Sequence, residues 1–322
     1  MNTSHNASPR SAFTGAVLVF LAAVGFSAKA VLVKLAYAYS PALDAVTLMN
    51  LRMLFALPFF AVAALWAGHN GSPTALRPRE TMMVAMLGVL GFYLAGLLDF
   101  AGLNYISAGL ERLILFLYPT LVVLFSAVFF KRPISRGQRL ALLLGYAGIA
   151  LVFGDDLGAG APHWLIGSTL VVGAAITFAL YILISGEWVG RLGSTRFTAY
   201  VMTSACLATL VHFSLTHRVV DLDLPGRVYG VALIMAIFST VIPAFLLNAG
   251  MRRIGANATS IVSSVGPVIT LFLAYLLLDE RLTPVQIAGT ALVIAGVLLS
   301  GGGKRPERIP RARRRLVTDG EG

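Results

Sequence analysis

The feature that most constrains this chain is a series of ten apolar segments, most of them long enough to cross a lipid bilayer. A hydrocarbon core of about 30 Å needs roughly 20 apolar residues per helix. Lipid offers backbone groups no hydrogen-bond partner, so continuous apolar runs of this length predict helices rather than barrel strands. The segments cover residues 13–35, 44–67, 82–101, 107–130, 138–154, 164–185, 197–215, 228–250, 257–278 and 284–301.

Composition and charge agree with a membrane protein. Only 12% of the residues are charged, whereas a soluble domain has about 25%. Most Lys and Arg residues fall in the tails and in alternate loops, which become cytoplasmic if the N-terminus is cytoplasmic. The net charge of +11 therefore indicates topology and contact with anionic lipid, not nucleic-acid binding. Both termini are predicted in the cytoplasm, as tails over 1–12 and 303–322.

An internal repeat divides the sequence between the tails. A shift of 148 residues aligns 101–151 with 249–299 without a gap, and Pro119 then meets Pro267 in mid-helix. The alignment contains few identities, but its loops and its prolines coincide. We therefore predict two halves of five helices each.

The two halves are predicted to be inverted relative to each other, because five is an odd number of crossings. The basic pair Lys131-Arg132 follows the proline helix in the first copy, whereas Arg252-Arg253 precedes it in the second. Basic residues mark cytoplasmic ends, so this exchange supports inversion. Inverted repeats are typical of alternating-access transporters. Gene duplication in a structural membrane protein is the alternative interpretation.

The sequence also resembles a known family. "GLNYISAGLERLILFLYPTLVVLFSAVFF" and "AGMRRIGANATSIVSSVGPVITLFLAYLLLDERLTPVQIAGTALVIAGV" look like the two halves of an EamA-type drug/metabolite transporter. The second stretch is the closer match, through Arg253, Ile254, Gly255, Ala256, Pro267, Glu280, Leu282, Thr283, Gln286 and Gly289. The first half departs from the pattern, with basic Lys131-Arg132 where the family often has an acidic residue.

The resemblance implies an all-α integral membrane protein of ten transmembrane helices in two inverted five-helix repeats, over 13–155 and 156–302. It also implies a central cavity, export of small metabolites or drugs, and the inner membrane of a bacterial cell. Relatives in the wider superfamily carry nucleotide sugars and phosphorylated sugars, so uptake or exchange of such anions is an alternative. A small-molecule substrate and the bilayer are the expected partners, and a homodimer is left open.

Five charged residues are predicted to share one depth near the outer boundary. Counting 1.5 Å per residue along each segment places all five within the outer part of the hydrocarbon. They are Lys29, Arg52, Asp99, Glu111 and Arg112. Paired across helices, they would close the outer mouth or bind substrate; alternatively, each long side chain reaches the headgroups separately. The second half has Thr259 and Ser260 where the first has Glu111 and Arg112, which predicts a charged outer gate and a neutral inner one.

Other polar residues are weaker candidates. Tyr93 and Asn248 are candidates for the cavity lining, although such residues often only join helices. Pro119, Pro243 and Pro267 are predicted to kink their helices.

The sequence contains no sign of a cofactor, a metal site or an ATP-binding loop, and the single cysteine, Cys206, is predicted to be an ordinary apolar residue. We therefore expect a transporter and not an enzyme. Two different functions compete with transport: an intramembrane lipid enzyme that uses Asp99 and Glu111, and a non-transporting assembly subunit.

Overall fold

The computed structural model describes residues 9–70, 77–131, 134, 136–158, 163–263, 265–280 and 283–301, and over these residues the chain is helical, without strands. The α-helices are α1 (Pro9–Tyr39), α2 (Ala45–Asn70), α3 (Pro78–Gly88), α4 (Ala95–Gly102), α5 (Ala108–Leu115), α6 (Tyr118–Phe130), α7 (Arg136–Gly158), α8 (Trp164–Leu192), α9 (Ser194–Thr216), α10 (Gly226–Ala236), α11 (Ile242–Ser263), α12 (Gly266–Leu278) and α13 (Pro284–Gly301). A π-turn joins α3 to α4 (Val89–Leu94), and another joins α10 to α11 (Ile237–Val241).

Seven of the described segments are long and apolar enough to cross a membrane, and two shorter helices are similarly apolar. The seven are Ser11–Tyr39, Ala45–Ala67, Pro78–Gly102, Ala108–Phe129, Trp164–Ser185, Ser194–Thr216 and Gly226–Leu247; the shorter ones are Gly266–Leu278 and Pro284–Gly296. Many large apolar side chains on these helices, such as Leu65, Trp66 and Leu215, point away from the protein interior. An all-helical, multi-pass membrane fold is thus confirmed, while the count of ten crossings stays a prediction.

Helix boundaries in the two halves recur at the interval found in the sequence. Adding 148 to the start of α3, the first π-turn, α6 and α7 gives the start of α10, the second π-turn, α12 and α13. The residues that follow α6 and α12 also correspond. Lys131 and Asp279 both adopt the left-handed conformation, with φ of 50° and 53°. The same local structure is therefore built twice from largely different residues.

Contacts between helices fix their relative directions. α1 and α4 run the same way, because Lys29 pairs with Asp99 while Lys34 bonds the carbonyl of Leu103. α4 and α8 run in opposite directions: Gly102 packs against Gly167, and Gly91, just before α4, packs against Tyr181. α8 is therefore antiparallel to α1.

The chain differs from the sequence predictions at two places. The predicted segment 107–130 is interrupted at Phe116–Leu117, which separates α5 from α6. The stretch between the predicted segments 228–250 and 257–278 is helical, within α11. The chain nevertheless reverses direction there, because Gly15 of α1 packs against Ile254, whereas Gly266 contacts Ser27, three turns farther along α1.

The three prolines predicted to kink helices share one position. Pro119, Pro243 and Pro267 are the second residues of α6, α11 and α12. At Pro119 and Pro267, which follow turns, the proline removes an N–H that has no partner within its own helix. Pro243 instead follows the π-turn Ile237–Val241 within a continuous helical stretch. In all three places the irregular backbone lies just before the proline.

The core between α1, α2, α4 and α10 packs closely around large buried side chains. Phe60 and Phe100 are fully buried, and Cys206 lies in the same cluster with its Sγ 3.6 Å from Sδ of Met53. Three of these helices, α1, α2 and α4, carry Lys29, Arg52 and Asp99, so the core positions the charged residues.

Candidate functional site

A buried ion triad joins three helices near one end of the bundle. Nζ of Lys29, on α1, lies 2.5 Å from Oδ2 of Asp99 on α4 and 3.5 Å from Oε1 of Glu111 on α5. Asp99 is 2% exposed and Glu111 is fully buried, while the lysine side chain is 15% exposed. The structure thus brings together three of the five charged residues that the sequence places at one depth.

The triad leaves several carboxylate oxygens without hydrogen bonds. Both oxygens of Glu111 and Oδ1 of Asp99 are buried and have no hydrogen-bond partner among the described residues. Such atoms destabilise the arrangement that buries them, because they have lost water without a full replacement. One lysine therefore holds two buried carboxylates whose oxygens are incompletely hydrogen-bonded.

Arg52 of α2 lies beside the triad without joining it. The residue is 6% exposed, and its guanidinium carbon stands 4.7 Å from the centre of the Phe100 ring. A Cβ placed on Gly96 would lie 3.4 Å from its Nη2. Among the described residues, no carboxylate oxygen lies within 4.0 Å of its guanidinium nitrogens.

Arg112, adjacent to Glu111, contacts the second half of the chain. Its Nη2 lies 3.4 Å from Oγ of Ser27, and a Cβ on Gly266 would lie 3.0 Å from the same nitrogen. The Ser27 hydroxyl is also 3.0 Å from the carbonyl oxygen of Gly266, and Thr270 donates to the Ser27 carbonyl at 3.1 Å. α1, α5 and α12 therefore meet at one polar junction next to the triad.

A second layer of contacts lies nearer the helix ends. Lys34 of α1 donates to the carbonyl oxygens of Leu103 and Ile106 at 3.2 and 3.0 Å. Tyr37 donates to the carbonyl of Phe100 at 2.9 Å. A cavity of ≈ 310 Å³ opens here, lined by Lys34, Tyr37, Ala38, Leu103, Asn104, Leu278 and Glu280.

Glu280 fastens the end of α12 to the start of α5 in this layer. Its Oε1 accepts a hydrogen bond from the backbone N–H of Ala108 at 3.2 Å, and the Ser107 hydroxyl accepts one from Leu110 at 3.1 Å. A carboxylate at a helix N-terminus is favourable because it meets unpaired N–H groups and the positive end of the helix dipole. The acidic residue of the family pattern therefore contacts the helix that carries Glu111.

Tyr93, another predicted site residue, lies apart from the triad. Tyr93 is in the first π-turn, and its hydroxyl is 2.9 Å from Nδ1 of His212 on α9. No described hydrogen bond or ion pair joins it to the charged cluster, which consists of Lys29, Arg52, Asp99, Glu111 and Arg112. Asn248 falls within α11, but its side chain lies outside the described residues, as does that of Pro119.

Sequence reasoning missed Ser27, Gly266, Thr270 and His212. A serine or a glycine in an apolar segment is common, so only the pairing of Gly266-Pro267 with Tyr118-Pro119 in the repeat could have drawn attention to this region. Among the described residues, no group of three or more His, Cys, Asp or Glu side chains is placed to hold a metal ion.

Comparison with known proteins then decides the family. The EamA-like transporter family matches this chain twice, over residues 13–154 and 165–302. The chain belongs to the EamA-like transporter family. The two matches divide the chain as the internal repeat does, and the resemblance seen in the sequence is confirmed.

Several relatives of this EamA-like protein are similar over most of its length. The Bacillus subtilis protein named "Uncharacterized transporter YcbK" is 30% identical over 293 residues, covering 90% of this chain and 93% of the relative. Protein PecM of Dickeya dadantii is 23% identical over 220 residues, 66% of this chain and 71% of that protein. A solved crystal structure superposes with a TM-score of 0.64 at 19% identity, covering 89% of this chain and 97% of that one, so the two share a fold.

Proposed function

We propose that this membrane transporter is a secondary transporter that exports small metabolites or drugs by alternating access. In this proposal the two five-helix halves, 13–155 and 156–302, are inverted relative to each other, and both termini are in the cytoplasm of a bacterial cell. The triad of Lys29, Asp99 and Glu111 closes the outer end of the passage between the halves.

The observation that carries the proposal is the exchange of equivalent contacts between the halves. The first helix of the first half, α1, packs against the second π-turn, where Gly25 meets Phe238 and Pro243. The first helix of the second half, α8, packs against the first π-turn, where Tyr181 meets Gly91. The antiparallel course of α1 and α8 supports inversion. Two such halves can exchange their conformations, which opens the passage to either side.

The proposed movement uses the breaks that the halves share. π-turns contain unusual hydrogen bonding and often occur at functional sites, so a segment such as Val89–Leu94 can bend without loss of a full helical turn. α5 is only eight residues long and ends at the turn Phe116–Leu117. Its displacement would carry Glu111 from Lys29 and Arg112 from Ser27, opening the outer end.

The alternative within the same fold is uptake or exchange of phosphorylated or nucleotide-sugar-like anions. The excess of cations in the cluster favours it in part. The cluster offers three cations against two carboxylates, however, which suits a single negative charge better than the two or more of a sugar phosphate. Homodimer formation stays open in this proposal and is not required for it.

Transport is tested with purified protein in liposomes that are loaded with a bacterial metabolite extract. We expect a subset of compounds to leave these liposomes faster than protein-free liposomes, and counterflow of the same labelled compounds to follow. Labelling of single cysteines placed in the two tails, in a Cys206→Ser background, locates the termini. Absence of any protein-dependent flux across the extract, or termini on opposite faces, would contradict the proposal.

A further inference from the structure

We propose that Arg52 is the binding residue for the carboxylate of a monoanionic substrate with an apolar body. The inference rests on the proposed transport function and names the class of substrate. The charges of the cluster are unevenly paired, since Lys29 lies within 4.0 Å of both carboxylates, whereas Arg52 lies near Asp99 but at ion-pair distance from neither carboxylate.

Arg52 has unused hydrogen-bonding capacity. A guanidinium has five N–H donors in a planar fork and stays ionised. Its Nε is buried without a hydrogen-bond partner among the described residues, and no described hydrogen bond is made by its other nitrogens. Stacking on Phe100 satisfies the face of the fork but not its donors. A buried cation in this state is stabilised by any anion that can reach its edge.

Gly96 of α4 borders the edge of the Arg52 fork. A Cβ on Gly96 would lie 3.2 Å from Cε of Met49 and 3.4 Å from Nη2 of Arg52. Both atoms are the ends of long side chains, so an alanine requires only a small shift, whereas a larger branched side chain would displace the guanidinium. Substitutions at Gly96 therefore change the space next to Arg52 without changing any charge of the site.

Charge and surroundings together select the class of ligand. A carboxylate matches a guanidinium with two parallel hydrogen bonds. One added negative charge equalises the three cations and two carboxylates of the cluster, whereas a dianion would reverse the imbalance. Phe100 and Met49, which border the guanidinium next to Gly96, are fully buried. They suit an apolar or aromatic body attached to the carboxylate.

Arg112 is the other cation of the cluster without a carboxylate at ion-pair distance, but its surroundings differ. Its Nε, like that of Arg52, is buried without a hydrogen-bond partner among the described residues, but its Nη2 already donates to Ser27 and is confined by Gly266. We assign it to the junction of α1, α5 and α12 and not to the substrate. Arg52 is also the more deeply buried of the two, since Arg112 is only partly buried.

Binding can be measured without transport. Thermal unfolding of the purified protein is followed with benzoate, with its neutral analogue benzamide, and with the dianion phthalate. Benzoate alone should raise the unfolding temperature, because a ligand that binds only the folded state stabilises it. Arg52→Gln should weaken benzoate binding by about thirtyfold or more, the lower end for truncating one partner of a buried charge pair. Arg52→Lys should give an intermediate loss.

Two further variants keep the test decisive if Arg52→Gln folds poorly. Gly96→Leu should abolish the benzoate shift while leaving every charge in place, and Gly96→Ala should retain it. Arg227→Gln is the matched control, since Arg227 also stacks on an aromatic ring, Tyr39 at 5.7 Å, but is exposed. Equal shifts with benzoate and benzamide, no shift with benzoate, or an unchanged shift in Arg52→Gln and Gly96→Leu would each overturn the inference.

Counterflow of labelled benzoate separates this inference from the transport proposal. Arg52-dependent binding without any counterflow would contradict transport and leave the anion site standing. Counterflow of neutral compounds at an unchanged rate in Arg52→Gln, with benzoate binding also unchanged, would support transport and overturn the anion site.

Discussion

The two halves of this EamA-like protein share their backbone but not their charges. Over 78–131 and 226–279, the starts of α3, the first π-turn and α6 recur 148 residues later. Asp99, Glu111 and Arg112 of the first half nevertheless correspond to Leu247, Thr259 and Ser260 of the second. The local fold therefore depends on apolar pattern, glycine and proline, which the halves share. The chemistry of the passage depends on residues that only one half carries.

The difference between the halves also bears on function. In the proposed mechanism, equivalent backbone breaks allow the halves to exchange conformations, while the unequal charges make the two closed states different. In this proposal the outer closure requires ion pairs to separate, and the inner closure does not. Substitutions should therefore have their largest effects in the charged half, smaller ones in the shared scaffold, and the smallest at the helix ends.

The largest effect is expected at Lys29. Replacing Lys29 by Leu leaves two adjacent buried carboxylates without their cation, and breaking a buried ion pair in this way costs about 3–5 kcal/mol. The free energy of unfolding, measured with a denaturant in detergent, should fall by that amount. Adding Asp99→Asn and Glu111→Gln to Lys29→Leu should restore much of the loss, since no uncompensated charge remains. If the single variant is as stable as the wild type, the triad does not hold the first half together.

The second effect should be alike in the two halves. A Cβ at Gly25 would lie 2.4 Å from Cγ of Pro243 and 2.5 Å from the Phe238 carbonyl oxygen, and one at Gly91 would lie 2.3 Å from Cγ of Tyr181. Gly25→Ala and Gly91→Ala should each destabilise the protein by about 1–3 kcal/mol through overpacking.

Gly230→Ala is the control for that pair, because no atom lies within 4 Å of the added Cβ. It should be neutral or stabilising by up to about 1 kcal/mol, the difference in helix propensity between the two residues. The stability of Gly25→Ala, Gly91→Ala and Gly230→Ala is measured by thermal unfolding. Strong destabilisation by only one of Gly25→Ala and Gly91→Ala would contradict a scaffold shared by the two halves.

The third effect concerns the second helix of each half, which starts differently. Asp44 precedes α2 and accepts hydrogen bonds from the N–H groups of Val46 and Thr47 at 2.7 and 3.0 Å, whereas α9 follows Gly193, which has no side chain to cap it. Asp44→Ala should cost about 1 kcal/mol at pH 7, the usual value for losing such a cap. Gly193→Ala makes the contrast, since its φ of 77° is strained for alanine.

The cost of Asp44→Ala should depend on pH. Burial raises the pKa of Asp44. This effect is outweighed by others that lower the pKa: the hydrogen bonds from Thr47, the nearby His217 and the hydrogen bond from the N–H of Val46. The net pKa therefore lies below its ordinary value of 3.8. A carboxyl with a depressed pKa stabilises the folded state fully above its unfolded pKa. Its contribution is lost as pH falls from about 4 through the folded pKa. Denaturant unfolding at pH 7 and pH 3 should show a smaller difference between the variant and the wild type at the lower pH.

The smallest effect is expected at Glu280, whose counterpart in the first half is Arg132. Glu280→Gln keeps the hydrogen bond to Ala108 but removes the charge at the N-terminus of α5, which is worth about 0.3–1 kcal/mol. The change should appear as faster labelling of a cysteine placed at Asn104, which lines the same cavity as Glu280, and only slightly in thermal unfolding. Unchanged labelling would mean that Glu280 has no part in the proposed closure.

The sequence alone determined the class of fold, the positions of most helices, the repeat interval and the shared level at which Lys29, Asp99 and Glu111 meet. These properties follow from length, hydrophobicity and a rise of 1.5 Å per residue, all of which are local. The break at Phe116–Leu117 and the helical course of α11 past residue 250 were not predictable in this way, because both segments are uniformly apolar or helix-compatible.

Only the tertiary structure decided which charges meet. Depth along a helix can be counted from its ends, but direction around the axis changes by 100° per residue and depends on the neighbouring helix. Lys29 could therefore have met Glu111, Asp99 or lipid headgroups at the same depth. Packing of α1 between α4, α5 and α12 selected both carboxylates for Lys29, placed Arg112 against Gly266, and left Arg52 on Phe100 without a carboxylate of its own.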